Sequence, residues 1–463
     1  MEAIDIKSVI LVLLIALLLL LMAAVIRWAN GGAKSDLFHF KRDVERAARE
    51  EQIQAVMLED KTFLGQSAMK GNIYVSNDAK HIFVCGTTGS GKTIALSNFI
   101  QSGITCNYPM LIIDGKGDIG PGSLLDIVRK LSKGRKVYVI DLNNPDTSDK
   151  YNPFQNTGAD IIKDMLINMT NWSEEHYKYN TERYIQRLSK MLELSEIQVS
   201  LSSLTKYIPV DNFIVLSKKL ADKKLITKEE HTENKDLAKA SGKIAEGAAA
   251  RFATIEDSRL GRIFHASGID IYTALKENAI ILFILNPLLY PEMSPLIGRL
   301  LIIDSKKAIS LFYQERKKRI FYILDEINVY VSRAMLDLVN KSRSANVTCI
   351  LAAQSLSDLD IAIGEPFKEQ IIENCNNYIL FRQNSPANAE YWANILGTKH
   401  AMSATYQIKG SNGTFDSTEL GSLRRTREFI YHPDDIKLLT LGNAIYLSRE
   451  DGYHTKLKIN KPF

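Results

Sequence analysis

The segment GTTGSGKT at residues 86–93 has the residue types and spacing of a phosphate-binding loop. It follows the apolar run HIFVC and precedes a helical pattern, which is the strand–loop–helix context that GxxxxGKT requires. Glycines there let backbone N–H groups face phosphate oxygens, while the Lys92 ammonium contacts the β- and γ-phosphates and the Thr93 hydroxyl binds Mg²⁺. The residues predicted to bind ATP are Gly86, Thr87, Thr88, Gly89, Ser90, Gly91, Lys92 and Thr93.

Two adjacent carboxylates follow the apolar run FYIL at residues 321–324. Asp325 and Glu326 at the end of a buried strand need a cation to offset their charge. We predict that Asp325 makes the second contact to Mg²⁺ and that Glu326 polarises the water that attacks the γ-phosphate. The alternative is an acidic start to the next helix, where a glutamate favours the helix dipole.

A glutamine ends the apolar run VTCILAA at residues 347–353. An uncharged polar side chain in this place costs free energy unless a specific partner accepts its hydrogen bonds. If this strand lies beside FYIL, Gln354 can reach the γ-phosphate or its water, and we predict that it senses the γ-phosphate. The alternative is a strand-end glutamine that is hydrogen-bonded to backbone.

Several further cationic residues are candidates for phosphate contacts. DGKGD at residues 114–118 indicates a tight turn at the carboxyl edge of the sheet, where Lys116 either contacts phosphate or nucleic acid or is a surface lysine. If the ATPase forms a ring, a neighbouring subunit supplies an arginine finger. The candidates, among which the sequence does not choose, are Arg343, Arg382, Arg424 and Arg425.

The elements that position these residues follow from the hydrophobic pattern. Short apolar runs alternate with helical patterns from residue 80 onward, which predicts an α/β fold with a parallel sheet covered on both faces. Between about 155 and 270 the apolar spacing becomes helical instead, as in Tyr184, Ile185 and Leu188. This predicts an inserted all-α domain.

The N-terminus predicts one transmembrane helix. Residues 8–26 contain no charged side chain, and nineteen helical residues span about 30 Å, roughly the hydrocarbon thickness of a bilayer. A signal peptide is the alternative, but its apolar region is shorter and its leader is basic. Arg27, Lys34, Lys41 and Arg42 follow the run, so the positive-inside rule places the rest of the chain in the cytoplasm, at the inner membrane.

The composition bounds the remaining possibilities. A chain of 463 residues with 45% hydrophobic and 24% charged residues is globular and long enough for two or three structural units. The net charge of +5 permits a nucleic-acid or acidic-lipid partner without requiring one. The four cysteines form no CxxC pair, which argues against a zinc site or a disulfide framework.

The combination of motifs resembles the type IV coupling proteins, the ring ATPases of conjugation and type IV secretion. The matching segments are GTTGSGKT, DGKGD, YNPF at 151–154, LDE at 324–326, AAQSLSDL at 352–359 and the closing strands of the tail. LDE and AAQSLSDL, with the basic helix between them, resemble the TraD/TraG segment that recognises the relaxosome. The resemblance implies a RecA-like P-loop NTPase domain of the FtsK/HerA superfamily, interrupted by the all-α domain, in a homohexamer through which DNA passes. The predicted division is an anchor at 1–30, a connector at 31–78, the nucleotide-binding domain at 79–154 and 271–463, and the all-α domain at 155–270.

The function expected from this resemblance is ATP-driven transfer of a relaxase–DNA substrate through a type IV secretion channel. Two departures from the family are visible: the chain has one predicted span where members commonly have two, and Gly115 stands where the family often has proline. Two alternatives remain, a double-stranded DNA translocase of the FtsK/HerA type and a secretion receptor that takes protein alone. DNA-stimulated ATP hydrolysis and cargo capture after nuclease treatment separate the three.

Overall fold

A computed structural model describes residues 60–78, 80–169, 175–313, 318–411 and 414–463. Within these ranges the strands are β1 (Lys61–Ser67), β2 (Gly71–Ser76), β3 (Ile82–Cys85), β4 (Met110–Asp114), β5 (Val137–Asp141), β6 (Ile280–Ile284), β7 (Ile320–Asp325), β8 (Val347–Ala353), β9 (Asn377–Leu380), β10 (Thr398–Ser411), β11 (Thr414–Phe429), β12 (Asn443–Ser448) and β13 (His454–Ile459). The α-helices there are α1 (Lys92–Thr105), α2 (Leu124–Leu131), α3 (Ala159–Met169), α4 (Glu175–Leu194), α5 (Leu201–Tyr207), α6 (Val210–Asp222), α7 (Lys228–Glu256), α8 (Ile271–Lys276), α9 (Met293–Tyr313), α10 (Arg333–Ser342), α11 (Leu356–Ile363), α12 (Glu365–Glu373), α13 (Pro386–Leu396) and α14 (Pro433–Lys437).

One sheet of eleven strands organises the fold, in the order β2-β1-β13-β12-β9-β3-β8-β7-β4-β6-β5. The seven strands from β9 to β5 are parallel. β12, β13, β1 and β2 extend the sheet by antiparallel pairing beyond β9. In a parallel sheet all carboxyl ends meet at one edge, so the residues that follow β3, β4, β7 and β8 are brought together.

The parallel strands are buried on both faces, as their continuous apolar runs predict. Every residue of β3, β4, β6, β7 and β8 is buried. Alternation divides them between two cores: Ile82 and Val84 pack with α1 and α2 on one face, whereas Phe83 and Cys85 join the larger core on the other. The predicted mixed α/β fold with a large parallel sheet is confirmed.

Among the described residues six α-helices, α3 to α8, lie between β5 and β6 in the chain, and we call the first five, α3 to α7, the helical segment. On α4 the buried residues Ile185, Leu188 and Leu192 share one side, because residues three or four apart align along a helix. They belong to the same hydrophobic core as Phe83 of β3. The boundaries of the predicted all-α domain stay a prediction.

The sequence reasoning did not predict the hairpin of β10 and β11, which forms a two-stranded sheet of its own. The Asn-Gly pair at 412–413 was a signal that could have found it, because this dipeptide favours tight hairpin turns. The predicted transmembrane run at 8–26 lies outside the described residues. Among the helices that are described, none is long and apolar enough to cross a membrane.

Candidate nucleotide-binding site

The phosphate loop connects the carboxyl end of β3 to the first turn of α1. The Gly86 N–H donates to Ala353 O of β8 (3.3 Å), and the Thr87 N–H donates to Arg382 O (3.0 Å), so backbone bonds to two neighbouring chain segments fix the loop. Gly91 caps α1 with φ +120°, in a region that L side chains rarely adopt. The sheet therefore positions the loop, and glycine lets it turn into the helix.

Lys92 turns back over this loop. Its Nζ donates to Gly86 O at 2.7 Å and lies 3.7 Å from Oε1 of Glu326, and its side chain is only 8% exposed. A buried ammonium is stable only with such partners. The structure thus brings together two residues that the sequence reasoning placed in the same site, although one belongs to α1 and the other follows β7.

Two hydroxyl oxygens of the loop are buried without a hydrogen-bond partner in the described part of the chain. They are Oγ1 of Thr87 and Oγ of Ser90. Buried polar atoms are normally hydrogen-bonded, so an unpaired pair beside a lysine and a helix N-terminus fits an anion as the missing partner. The residues present therefore suit the phosphates of a nucleotide.

Asp325 does not stand alone at the end of its strand. It is the register partner of Asp114 on the adjacent parallel strand β4, and both are buried. Burial, followed by the charges of Asp114 and Glu326, raises the pKa of Asp325 to about 7. Burial also raises the pKa of Asp114 to about 6, against the stabilising N–H groups of Lys116 and Gly117. Two carboxylates so placed need a cation to be ionised together.

Sequence reasoning missed Asp114 as a site residue. The sequence does contain a pattern that could have identified it. In MLIID four apolar residues are followed directly by Asp114, just as four apolar residues are followed by Asp325 in FYILD. Lys116 in the same turn pairs with Asp118 at 3.1 Å, and both side chains are about half exposed. This ion pair and exposure fit the alternative that Lys116 is a surface lysine.

Gly115 joins the two acidic strand ends. Its N–H donates to Asp325 O at 3.2 Å, a bond that the proline common in the resembling family could not make. A Cβ at this position would lie 2.8 Å from the carbonyl oxygens of Asp325 and Glu326. Only glycine allows β4 and β7 to end this close together.

Glu326 has a strained backbone. Its φ of 47° and ψ of 52° lie in the left-handed region, which costs a non-glycine residue about 1 kcal/mol or more. The Tyr330 hydroxyl donates to the carbonyl of Asp325 at 2.9 Å and supports the turn. In this conformation the carboxylate of Glu326 points toward Lys92 rather than along the following 3₁₀ turn.

Gln354 follows β8, which pairs with β3 on one side and β7 on the other. The condition for its predicted role, that its strand lies beside FYIL, is therefore met. It is half-buried, as is Thr93 in the first turn of α1. Contacts of Gln354 with the γ-phosphate and of Thr93 with Mg²⁺ stay predictions.

The four candidate arginines occupy different places. Arg382 lies beside the phosphate loop of its own chain, because its carbonyl accepts the Thr87 N–H. Arg343 follows α10, before the amino end of β8, at the opposite edge of the sheet. Arg424 and Arg425 are exposed on β11.

Comparison with known protein families gives two matches. The family described as "Type IV secretory system Conjugative DNA transfer" matches residues 39–245. The family described as "TraM recognition site of TraD and TraG" matches residues 319–440. Together they cover more than half of the chain. One relative, an uncharacterised protein of Mycoplasma pneumoniae, is 31% identical over 101 residues, which cover 22% of this chain and 67% of that protein.

Solved structures share the fold. The bacterial conjugative coupling protein TrwBdeltaN70 has 16% identity and a TM-score of 0.60, with 89% of this chain and 92% of that chain covered. VirB4 of Thermoanaerobacter pseudethanolicus has 12% identity and a TM-score of 0.53, with 86% of this chain and 96% of that chain covered. Sequence families and fold agree, and the chain belongs to the type IV coupling proteins, the ATPases of conjugative DNA transfer by type IV secretion systems.

Proposed function

We propose that this chain hydrolyses ATP at the carboxyl edge of its sheet and uses the energy to drive a relaxase–DNA substrate into a type IV secretion channel. The observation that carries the catalytic part is the approach of Lys92 Nζ to Glu326 Oε1 at 3.7 Å, next to the buried pair Asp114 and Asp325. A phosphate-binding cation, metal-binding carboxylates and a general base therefore share one site.

Each residue has a separate task in this mechanism. Lys92 offsets the charge of the β- and γ-phosphates, and Thr93 and Asp325 hold Mg²⁺. Mg²⁺ held there would supply positive charge that offsets the charge of the phosphoryl oxygens. Glu326 orients the attacking water and accepts its proton. Gln354, at the end of the strand between β3 and β7, contacts the γ-phosphate or this water.

The fold relatives support ATP and Mg²⁺ as the ligands. TrwB structures are described in complex with ADP and Mg²⁺ and with non-hydrolysable analogues of ATP and GTP. In this chain the unpaired hydroxyls of Thr87 and Ser90 and the acidic pair beside them are the matching features.

ATP hydrolysis by the full-length chain tests the site. Glu326→Gln should retain binding of a fluorescent ATP analogue and lose about 10²- to 10⁴-fold in kcat, because a carboxamide cannot accept the proton. Lys92→Ala should lose nucleotide binding as well. Glu193→Gln and Lys239→Ala, at exposed positions in the helical segment, are the matched controls. Full activity of Glu326→Gln would show that another residue is the base.

The wider assignment concerns location and assembly. The match to a TraM recognition site supports contact with a relaxosome protein, and the apolar run at 8–26 supports a single-pass anchor in the inner membrane with the ATPase in the cytoplasm. We infer a homohexamer, in which the ATP site is completed by a neighbour. Cargo capture with and without nuclease checks the DNA assignment: relaxase retained after complete DNA digestion would favour the protein-receptor alternative.

A further inference from the structure

Side chains on β13, the third strand from one edge of the sheet, face an open groove. The groove, of about 610 Å³, runs across β13 between the β1–β2 turn and the chain after β11. We call it the β13 groove, and its defining residues are Gln66, Lys70, Tyr431, His454, Lys456 and Lys458. Along β13 exposed and buried residues alternate, so Lys456 and Lys458 lie on the same face, opposite buried Leu457 and Ile459.

The lysines of the groove carry uncompensated positive charge. Lys70, Lys456 and Lys458 are exposed, and none of them has a carboxylate partner within the described ranges. The groove is lined by no aspartate or glutamate among the residues that the structure describes. Other surface lysines of the described chain do pair, as Lys136, the residue before β5, does with Glu277 at 2.7 Å. A groove of unpaired cations attracts a polyanion.

Aromatic and apolar groups lie among these cations. The rings of Tyr431 and His454 meet edge to face with their centroids 5.6 Å apart. Met69, at the tip of the β1–β2 turn, is 89% exposed. Cationic side chains interleaved with aromatic rings in a concave surface are the arrangement that holds a nucleic-acid strand, with phosphates on the lysines and bases against the rings.

The groove is also joined to the phosphate loop by two backbone hydrogen bonds. Asn443 lines the groove, and its neighbour Gly442 donates its N–H to Ser90 O in the loop at 3.0 Å. The carbonyl of Gly442 accepts the N–H of Ile459, the last residue of β13, at 2.8 Å. Gly442 therefore connects the phosphate loop directly to the strand that bears Lys456 and Lys458.

We propose that the β13 groove binds the phosphodiester backbone of the DNA that the ATPase moves, and that Gly442 couples this contact to the phosphate loop. The proposal rests on the proposed function, because it identifies where the ATPase contacts the DNA that it moves.

DNA binding by the full-length chain tests the groove. Fluorescence anisotropy with a labelled single-stranded oligonucleotide and with its duplex should show at least a tenfold weaker affinity for Lys456→Glu/Lys458→Glu. The dependence of log affinity on log salt should flatten by about 1.4 for the single strand, since each lost phosphate contact removes about 0.7. Lys235→Glu/Lys239→Glu, an equal charge change on exposed positions of α7, should bind DNA like the wild type.

Binding of a fluorescent ATP analogue by the same variants reports whether the nucleotide site is intact, and it should change less than twofold. A loss of affinity for either oligonucleotide with intact ATP binding supports the groove. If the wild type binds DNA and the groove variant binds equally well, the groove proposal is wrong while the proposed function stands. If the wild type binds neither oligonucleotide and DNA does not change its ATPase rate, the DNA-transfer function itself fails, and the groove with it.

Discussion

His81, immediately before β3, is a buried residue whose protonation state the structure determines. The backbone N–H of Cys349 can only donate, and it lies 3.1 Å from Nδ1 of His81, so Nδ1 is the acceptor. The proton of the neutral ring is therefore on Nε2, which donates it to Val339 O at 2.7 Å. Burial, with a smaller contribution from the charge of Arg343, lowers the pKa of His81 to about 4 despite the bond to Val339. The neutral ring holds β3, β8 and α10 together.

Protonation linked to His81 should destabilise the folded protein as the pH falls from about 6.5 toward 4, because in this range the unfolded chain binds a proton that the folded His81 rejects. The raised pKa values of Asp114 and Asp325 act in the opposite direction. The contribution of His81 alone is a loss of roughly 2 kcal/mol in the free energy of unfolding at pH 5 relative to pH 7.5. Urea denaturation at both pH values measures it. Compared with the wild type, His81→Gln should raise the free energy of unfolding at pH 5 relative to pH 7.5 by roughly 2 kcal/mol, whereas His400→Gln, at an exposed position of β10, should leave the pH dependence unchanged. Equal pH dependence in wild type and His81→Gln would contradict the assignment.

At the scale of elements, a buried ionic network connects both ends of the helical segment to α9. Lys307 Nζ lies 3.0 Å from Asp270 and 2.7 Å from Asp304, and all three side chains are almost fully buried. The Tyr151 hydroxyl donates to Asp304 at 2.7 Å. Tyr151, of the YNPF motif, precedes the segment and Asp270 follows it, so the network fixes where the helices leave and rejoin the sheet.

Removal of the cation from this network should destabilise the fold strongly. Lys307→Met leaves two buried carboxylates without their partner, and we expect a loss of about 3–5 kcal/mol in the free energy of unfolding. Lys306→Met is the matched control one residue away, because Lys306 pairs with Asp337 at a partly exposed site and should cost no more than about 1 kcal/mol. Chemical denaturation of both variants measures the difference, and similar losses would argue against the network.

In the molecule as a whole, two of the candidate arginines, Arg343 and Arg382, lie at opposite edges of the sheet. The carboxyl end of β8 contacts the phosphate loop through Ala353 O, and Arg343 precedes its amino end. Seven strand residues span about 20 Å, so Arg343 is too far from its own site to touch a phosphate there. Arg382 lies beside its own loop. If an arginine finger acts between subunits, Arg343 is better placed than Arg382.

A mixture of two inactive variants tests this arrangement. Arg343→Ala should lower kcat about 10³-fold or more, as removal of an arginine finger does, while leaving ATP binding intact. Arg343→Ala mixed with Lys92→Ala should regain part of the DNA-stimulated ATPase activity, because some interfaces then combine an intact loop with an intact arginine. Arg382→Ala in the same mixture is the comparison. If none of the arginine variants recovers ATPase activity when it is mixed with Lys92→Ala, an arginine finger supplied by the neighbouring subunit is contradicted.

Local sequence patterns were enough to predict the chemical groups of the site and the strands and helices that carry them. GTTGSGKT, LDE and the six apolar runs from HIFVCG to VTCILAAQ are local patterns, and a local pattern specifies a phosphate loop or a buried strand without reference to the rest of the chain. The family resemblance followed from these motifs and was confirmed. The roles of Glu326 and Gln354 stay predictions, although the structure places both beside the strands that the reasoning required.

Which strand ends are neighbours became clear only from the folded structure. Asp114 and Asp325 are far apart in the chain, and they become a pair because β4 and β7 are adjacent and Gly115 permits the close approach. The antiparallel addition of β12, β13 and β1 likewise creates the β13 groove from segments at opposite ends of the described chain. Hydrophobic periodicity reports burial residue by residue, whereas strand order depends on long-range pairing and packing, which no local pattern encodes.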